Sequence, residues 1–444
     1  EFIQNMLQIN KILICYEYIK DCFNLSLSVD NVMTKKLAIN GGKAEAAELK
    51  SKIPEWPRAS GKVKKALLEA LESGKWCRIY PGSKAEQFEK AFAAYHDAKH
   101  GIAVANGTVS LELALKTGKI GFGDEVLVPA VTFIASASAI TEVGAVPRFV
   151  DVDPETAAMS PKALENSITD KTKAVMVVHY GGYPVDFDRI LPIVKRNKLF
   201  LVEDCAHAHG TEWKGRKVGA IGDMGSFSFQ ESKSLASGEG GIVLTNNDEL
   251  DERARLIHNI GRVVGRPGYE HFILSSNYRL SELQAALLLA KMDELPKEVE
   301  EKHVNGEYLA ERLRKIGGVE PLRKDPRITK RGYYYFIIRY DKTEFSGLSK
   351  KRFLEALNAE GVPAGSGYEM PLYKQPAFKK ENLKTVIPKE AKTPEYEKLS
   401  LPGAEKYIAE EVTLPHPVLL SGKEGLNLVV NSIQKIKENV DELL

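Results

Sequence analysis

Apolar residues along this chain gather in short uninterrupted runs, and between successive runs the apolar positions recur every three or four residues. The runs read as buried strands and the periodic segments as amphipathic helices. In chain order the pattern predicts helices over 62–73, behind a Ser60 cap, and over 84–95. A strand over 101–104 and a helix over 109–115 follow. An alternation comes next: strand 125–128, helix 132–143, strand 146–152, helix 161–167, strand 174–178, helix 186–196 and strand 199–202. A strand over 226–229, a helix over 249–257 and a long helix from 282 to about 316 complete the first part. The composition shifts near Gly317. Beyond it a strand over 333–340, a helix over 348–360 and a terminal helix ending at Leu444 are predicted, and 365–394, rich in Lys and Pro, reads as surface loops.

Strands separated by helices need crossover connections, so the predicted sheet is mainly parallel and covered by helices on both faces. Residues 33–316 are expected to form this large α/β domain with its arm and interdomain helix, and 317–444 a smaller α+β domain. Residues 1–32 read as an extension outside the core, with Met33 as the natural start. At 444 residues the chain exceeds the size at which one core keeps growing, which agrees with two domains. A net charge of +2 gives no reason to invoke nucleic acid, and no apolar span is long enough for a membrane helix. Four scattered cysteines, without a CxxC pair, fit a reducing, cytoplasmic setting.

The candidate chemistry concentrates between Leu199 and Leu244. One buried strand ends on Glu203 and Asp204, followed by His207 and His209. A second delivers Lys233 into Ser-Leu-Ala-Ser-Gly-Glu-Gly-Gly. An acid past one strand and an amine past another are the ingredients for holding an aldehyde cofactor, the acid on a pyridinium nitrogen and the amine as a Schiff base. Upstream, Asn106-Gly107-Thr108 joins a strand to a helix start, where free N–H groups form a phosphate seat. Ligands of parallel sheets sit beyond the carboxyl ends of the strands. Asn106 to Thr108, Phe133, His179 and Asp204 are all expected there.

The order E-D-x-A-H-A-x-G, G-x-x-G-D, F-S-F-x-x-x-K, G-E-G-G resembles the DegT/DnrJ/StrS family of pyridoxal-phosphate enzymes, mostly sugar aminotransferases. The resemblance implies fold type I of the PLP-dependent transferases and a cytoplasmic homodimer with shared active sites. It implies Lys233 as the Schiff-base lysine and Asp204 as the partner of the pyridine nitrogen, with His207 and Phe133 on the two faces of the ring. Gly107, Thr108 and Ser228 would hold the phosphate, and Asn277 would reach across a dimer interface to the neighbour's cofactor. The implied reaction moves an amino group from glutamate or glutamine, through pyridoxamine phosphate, to the ketone of a keto-sugar or keto-cyclitol. The segment FSFQESKSLASGEGG is closer to the branch that aminates keto-cyclitols such as scyllo-inosose, or makes aminohydroxybenzoate.

Other readings stay open at this point. A sister group of the family dehydrates sugars, with histidine at the lysine position, and Lys233 speaks against it. A regulator that keeps the fold without catalysis is a second. A zinc hydrolase using His207 and His209 is a third, although no further ligands stand at metal-like spacing and no resident metal is expected. Gly219, Gly222 and Gly225 lack the G-x-G-x-x-G turn, and no P-loop occurs, so no dinucleotide or P-loop nucleotide is indicated.

Overall fold

The computed structural model describes residues 36–444 except 264, 265, 267, 385, 388–390 and 392; the expected extension 1–32 lies outside them. Seven strands form the central sheet: β1 (His100–Val104), β2 (Glu125–Pro129), β3 (Val146–Val150), β4 (Thr172–Val178), β5 (Phe200–Asp204), β6 (Met224–Ser228) and β7 (Gly241–Thr245). Their order is β1-β7-β6-β5-β4-β2-β3, with β3 through β6 joined in parallel.

The uninterrupted apolar runs have a direct cause. Successive side chains of a strand point to opposite faces, and here both faces are covered. Ile102, Val104, Val126, Val128, Met176, Val178 and Val202 pack on one side, under the helices Gly107–Thr117, Ala135–Glu142 and Asp248–His258. Ala103, Leu127, Val175, Val177 and Leu201 pack on the other, against Lys84–Tyr95, Phe187–Arg196 and Glu282–Lys291. A third core joins the sheet β8 (Val319–Pro321), β9 (Tyr335–Tyr340) and β10 (Glu411–Pro415) to the helices Lys350–Ala359 and Gly422–Glu438. Leu37 and Leu49 from the amino-terminal side and Leu309 and Leu313 from Leu295–Leu313 also belong to it.

Three expectations are corrected. Strand β7 carries no crossover helix before it, which is why the alternation missed it, and it is antiparallel to both β1 and β6. The expected single helix from 282 to 316 is two, Glu282–Lys291 and Leu295–Leu313. Pro296 in the first turn of the second has no N–H, and its ring would meet the carbonyl of Met292 in a continuous helix. Finally, 365–394 is not merely surface loop. Leu372, Tyr373, Phe378, Leu383 and Ile387 are buried against the large-sheet core through three short helical turns. Among the described residues no helix is long and apolar enough to cross a membrane.

The antiparallel β7 decides where the chemistry lies. Its connection from β6, residues 229–240, must turn at the carboxyl end of β6, the same end at which β1, β4 and β5 finish. The register sets Gly241 opposite both Ser228 and Val104. A Cβ on Gly241 would stand 2.4 Å from the Asn106 carbonyl oxygen, so only glycine lets β7 pass behind the turn into helix Gly107–Thr117. Gly241→Ala is therefore expected to lower unfolding free energy by about 1–3 kcal/mol, the usual cost of overpacking. Urea denaturation checks it, and unchanged stability would contradict the tight approach.

Candidate active site

At the carboxyl ends of these strands lies a cavity of about 770 Å³, lined among others by Gly107, Thr108, Phe133, Asp204, His207, Ser228 and Lys233. Seven of the eight residues that the resemblance assigned to the cofactor thus share one space, with Asn106 beside them; His179, also expected there, does not line the cavity but is buried against Glu203. Asn277 does not line it in the single chain. It is exposed, bridges to Asn259, and accepts the Arg279 N–H at 3.2 Å.

Asp204 ends β5 and is 6% exposed. Its Oδ2 accepts from Ser136 Oγ at 2.8 Å and its Oδ1 from the Ala206 N–H at 3.1 Å. Because the Ser136 proton is committed to the carboxylate, Thr132, 2.8 Å away, donates in turn to Ser136. Burial raises the Asp204 pKa, while these donors and the Lys233 charge oppose the rise. Its neighbour Glu203 points to the other face of the sheet. There it accepts from the N–H groups of Gly219, Ile221 and Gly222 at 2.8, 2.8 and 2.6 Å, and from His179 Nε2 at 3.1 Å. These bonds hold its pKa below the usual value against burial. The glycine spacing that imitated a nucleotide motif is thus a turn wrapped on a buried carboxylate. A Cβ on Gly225 would lie 2.1 Å from the Gly219 carbonyl oxygen.

Glu203, His179 and Cys205 stand close enough to suggest a metal group. The Glu203 oxygens are already taken by these donors, and burial drives the Cys205 thiol pKa well up, so the cluster is a hydrogen-bonded core. The two histidines of the hydrolase reading are likewise parted. His207 reaches the cavity, whereas His209 is packed among the rings of Phe92, Phe227 and Phe229.

Lys233 is half-buried, and desolvation pushes its pKa down to about 8 although Asp204 pulls it the other way. Its Nζ stands 4.3 Å from the centre of the Tyr334 ring. The loop that carries it is pinned on several sides. Trp56 Nε1 donates to the Lys233 carbonyl at 3.1 Å, His416 Nε2 to the Ser232 carbonyl at 3.2 Å, and the buried Lys302 to Ser234 Oγ at 2.8 Å. His207 stacks on Tyr334 with ring centres 4.0 Å apart. Its Nδ1 accepts the Gly181 N–H at 3.3 Å, and burial holds its pKa well below the usual value, so the ring is neutral with its proton on Nε2.

Helix Gly107–Thr117 aims its first N–H groups at the cavity, and Asn106 caps it by accepting from Val109 at 3.0 Å. Gly107 lies so close to Ser228 that a Cβ there would come within 2.6 Å of the serine Cβ. This brings the Ser228 hydroxyl beside the helix start, a seat for an anionic group. Phe133 is 57% exposed and forms part of the cavity wall, not the core. Sequence reasoning missed Tyr334, Tyr335, Tyr368 and Ser136, as well as the pinning residues Trp56, Lys302 and His416. All lie far along the chain from Asp204, His207 or the Lys233 loop, and their types carry no spacing signal.

The comparisons bear on this arrangement. The model of the DegT/DnrJ/EryC1/StrS aminotransferase family matches residues 58–434. The chain belongs to this family. It is therefore an aminotransferase of a pyridoxal-phosphate-dependent family. The L-glutamine:2-deoxy-scyllo-inosose aminotransferase of Streptoalloteichus tenebrarius is 35% identical over 435 residues, 93% of this chain and 100% of that protein. The L-glutamine:scyllo-inosose aminotransferase of Streptomyces griseus is 34% identical over 427 residues, 93% of this chain and all of the other. Among solved structures, 3-amino-5-hydroxybenzoic acid synthase superposes with a TM-score of 0.77 at 34% identity, covering 86% of this chain and 97% of that one. The expected α/β fold agrees with that likeness.

The lowered pKa of Lys233 gives a direct test. An amine is reactive only when unprotonated, so in cofactor-free protein the acetylation rate of Lys233, followed by peptide mass mapping, is expected to rise with pH and level off above about 8. Asp204→Asn removes the attraction that favours the charged amine and should shift that midpoint lower. A midpoint near that of an exposed lysine would contradict the desolvated setting.

Proposed function

We propose that the chain transfers the amino group of glutamine to the ketone of a keto-cyclitol of the inosose class, using pyridoxal phosphate held by Lys233. The observation that carries this reading is the convergence of a desolvated amine, a buried carboxylate and a helix N-terminus on one cavity. The residues fit the group. The helix start and Ser228 suit its phosphate, the buried Asp204 oxygens suit a protonated ring nitrogen, and Lys233 suits its aldehyde. When bound, the cofactor supplies a ring that withdraws electrons from the carbon bearing the amine.

The protein's part follows from its own groups. With a pKa of about 8, the Lys233 amine is unprotonated often enough near neutrality to attack a carbonyl, and once displaced it accepts and returns a proton within the cavity. Asp204, fed by Thr132 and Ser136, is kept ready to accept a proton-bearing ring nitrogen. Neutral His207, braced by Tyr334, offers a flat, uncharged surface. Phe133, exposed on the cavity wall, would cover the opposite side. The acceptor class is supported by the relatives from Streptoalloteichus tenebrarius and Streptomyces griseus, each named for a scyllo-inosose substrate and L-glutamine. Likeness to 3-amino-5-hydroxybenzoic acid synthase supports a second reading, formation of an aminohydroxybenzoate.

We also propose a cytoplasmic homodimer in which Asn277 serves the neighbour's cofactor phosphate. Its support is the exposed position of Asn277, close in sequence to the exposed Tyr269, Phe272 and Leu274, an apolar set suited to a subunit contact.

The reading is tested by the visible spectrum of the purified protein, borohydride reduction and peptide mapping. A yellow protein with the reduced cofactor on Lys233 is expected; a colourless one that stays unlabelled after pyridoxal phosphate is added sinks the proposal. Lys233→Ala and Asp204→Ala should each lower kcat with glutamine and 2-deoxy-scyllo-inosose by at least about 10²-fold. Turnover without any keto-cyclitol, giving an aromatic amine, would move the assignment to the second reading.

A further inference from the structure

Arg331 presents a feature that the proposed reaction does not use. It is only 8% exposed, yet its Nε and Nη2 have no hydrogen-bond partner, and no carboxylate among the described residues forms an ion pair with it. The guanidinium lies between two aromatic rings, 4.1 Å from the centre of Tyr333 and 5.1 Å from that of Tyr183. Stacking satisfies the faces of the group but leaves two donors of its edge, Nε and Nη2, without a partner. A buried cation without an anion is unfavourable, so such an edge is poised for an oxyanion, which a guanidinium binds with two parallel bonds.

The surroundings agree. Arg331 lines a cavity of about 480 Å³ between helix Leu295–Leu313 and the segment 321–333, apart from the residues of the candidate active site. Its charged lining comprises Arg314, Arg323, Lys324 and Arg331 against Glu307 and Asp325. Both carboxylates are already engaged, Glu307 by Lys324 at 2.9 Å and Asp325 by Arg327 at 2.6 Å. Arg323 is matched by Asp153 and Glu155. Arg314, across the cavity and exposed, has no carboxylate partner among the described residues. His303 Nδ1 accepts the backbone N–H of Arg331 at 3.4 Å, which leaves its proton on Nε2 as a further donor. Two unmatched guanidiniums thus face one cavity whose acids are spoken for.

We infer that the cavity beside Arg331 is a second binding site, for a small molecule bearing a phosphate or carboxylate group, gripped by Arg331 and Arg314. The site adjoins the candidate active site through one peptide link, since Tyr333, under the guanidinium, is followed by Tyr334, which stacks on His207.

The test is isothermal titration of borohydride-reduced holoenzyme, in which the cofactor's own phosphate already fills the seat at Ser228. Inorganic phosphate and succinate serve as separate probes at constant ionic strength. One binding event per chain is expected for at least one probe, and the tighter probe identifies the phosphate or the carboxylate source. Arg331→Met should weaken it at least about tenfold, the scale of one charge-assisted pair. Arg314→Met, at an exposed position that does not endanger folding, should weaken it in the same direction. Ser228→Ala should leave it unchanged. Absence of binding by both probes, or binding by Arg314→Met and Arg331→Met as tight as that of the unaltered protein, would overturn the inference.

Discussion

Two adjacent carboxylates, Glu203 and Asp204, are buried at the end of a central strand, and much of the structure serves to keep them there. A buried charge is tolerated only when hydrogen-bonded. Strand alternation sends the two to opposite faces, so each needs its own donors. Glu203 draws three backbone N–H groups and a histidine around itself, which requires the glycine turn 219–222. With that side anchored, the Asp204 carboxylate is presented to the cavity with a serine and one backbone N–H as its donors among the described residues, leaving it able to hold something more.

The second constraint is the reversal of strand direction at β7. A wholly parallel sheet would send the chain after β6 away across a face. The antiparallel return instead forms a short connection at the carboxyl ends of β5 and β6, and Lys233 rides on it. The same return brings Gly241 behind the Asn106–Gly107 turn, so the amine and the anion seat are held by one register. Tryptophan, lysine and histidine side chains from distant parts of the chain then pin the loop.

The third contribution comes from the carboxyl-terminal part. Tyr334 and Tyr335, at the start of β9, and Tyr368 close the cavity over the amine. Their bulk removes water from Lys233, and this desolvation depresses its pKa more than Asp204 restores it. The catalytic competence proposed for the large sheet therefore depends on residues more than a hundred positions beyond Lys233, of which Tyr335 and Tyr368 pack against the large-sheet core itself.

Much of this was legible in the sequence. Alternating apolar runs and helical segments marked the strands from β1 to β6, because strands buried on both faces must be apolar throughout. The order of acid, histidines, lysine and glycines pointed to one site, because backbone connections of only a few residues tie each group to a strand end. The direction of β7 and the break at Pro296 have local causes that the periodicity did not report, whereas the burial of 365–394, the tyrosine wall and the unmatched Arg331 are set by contacts between remote segments. Periodicity reports which face of an element is buried, but not what covers it. A shifted pKa or a charged cavity arises only when segments distant in the chain exclude water together.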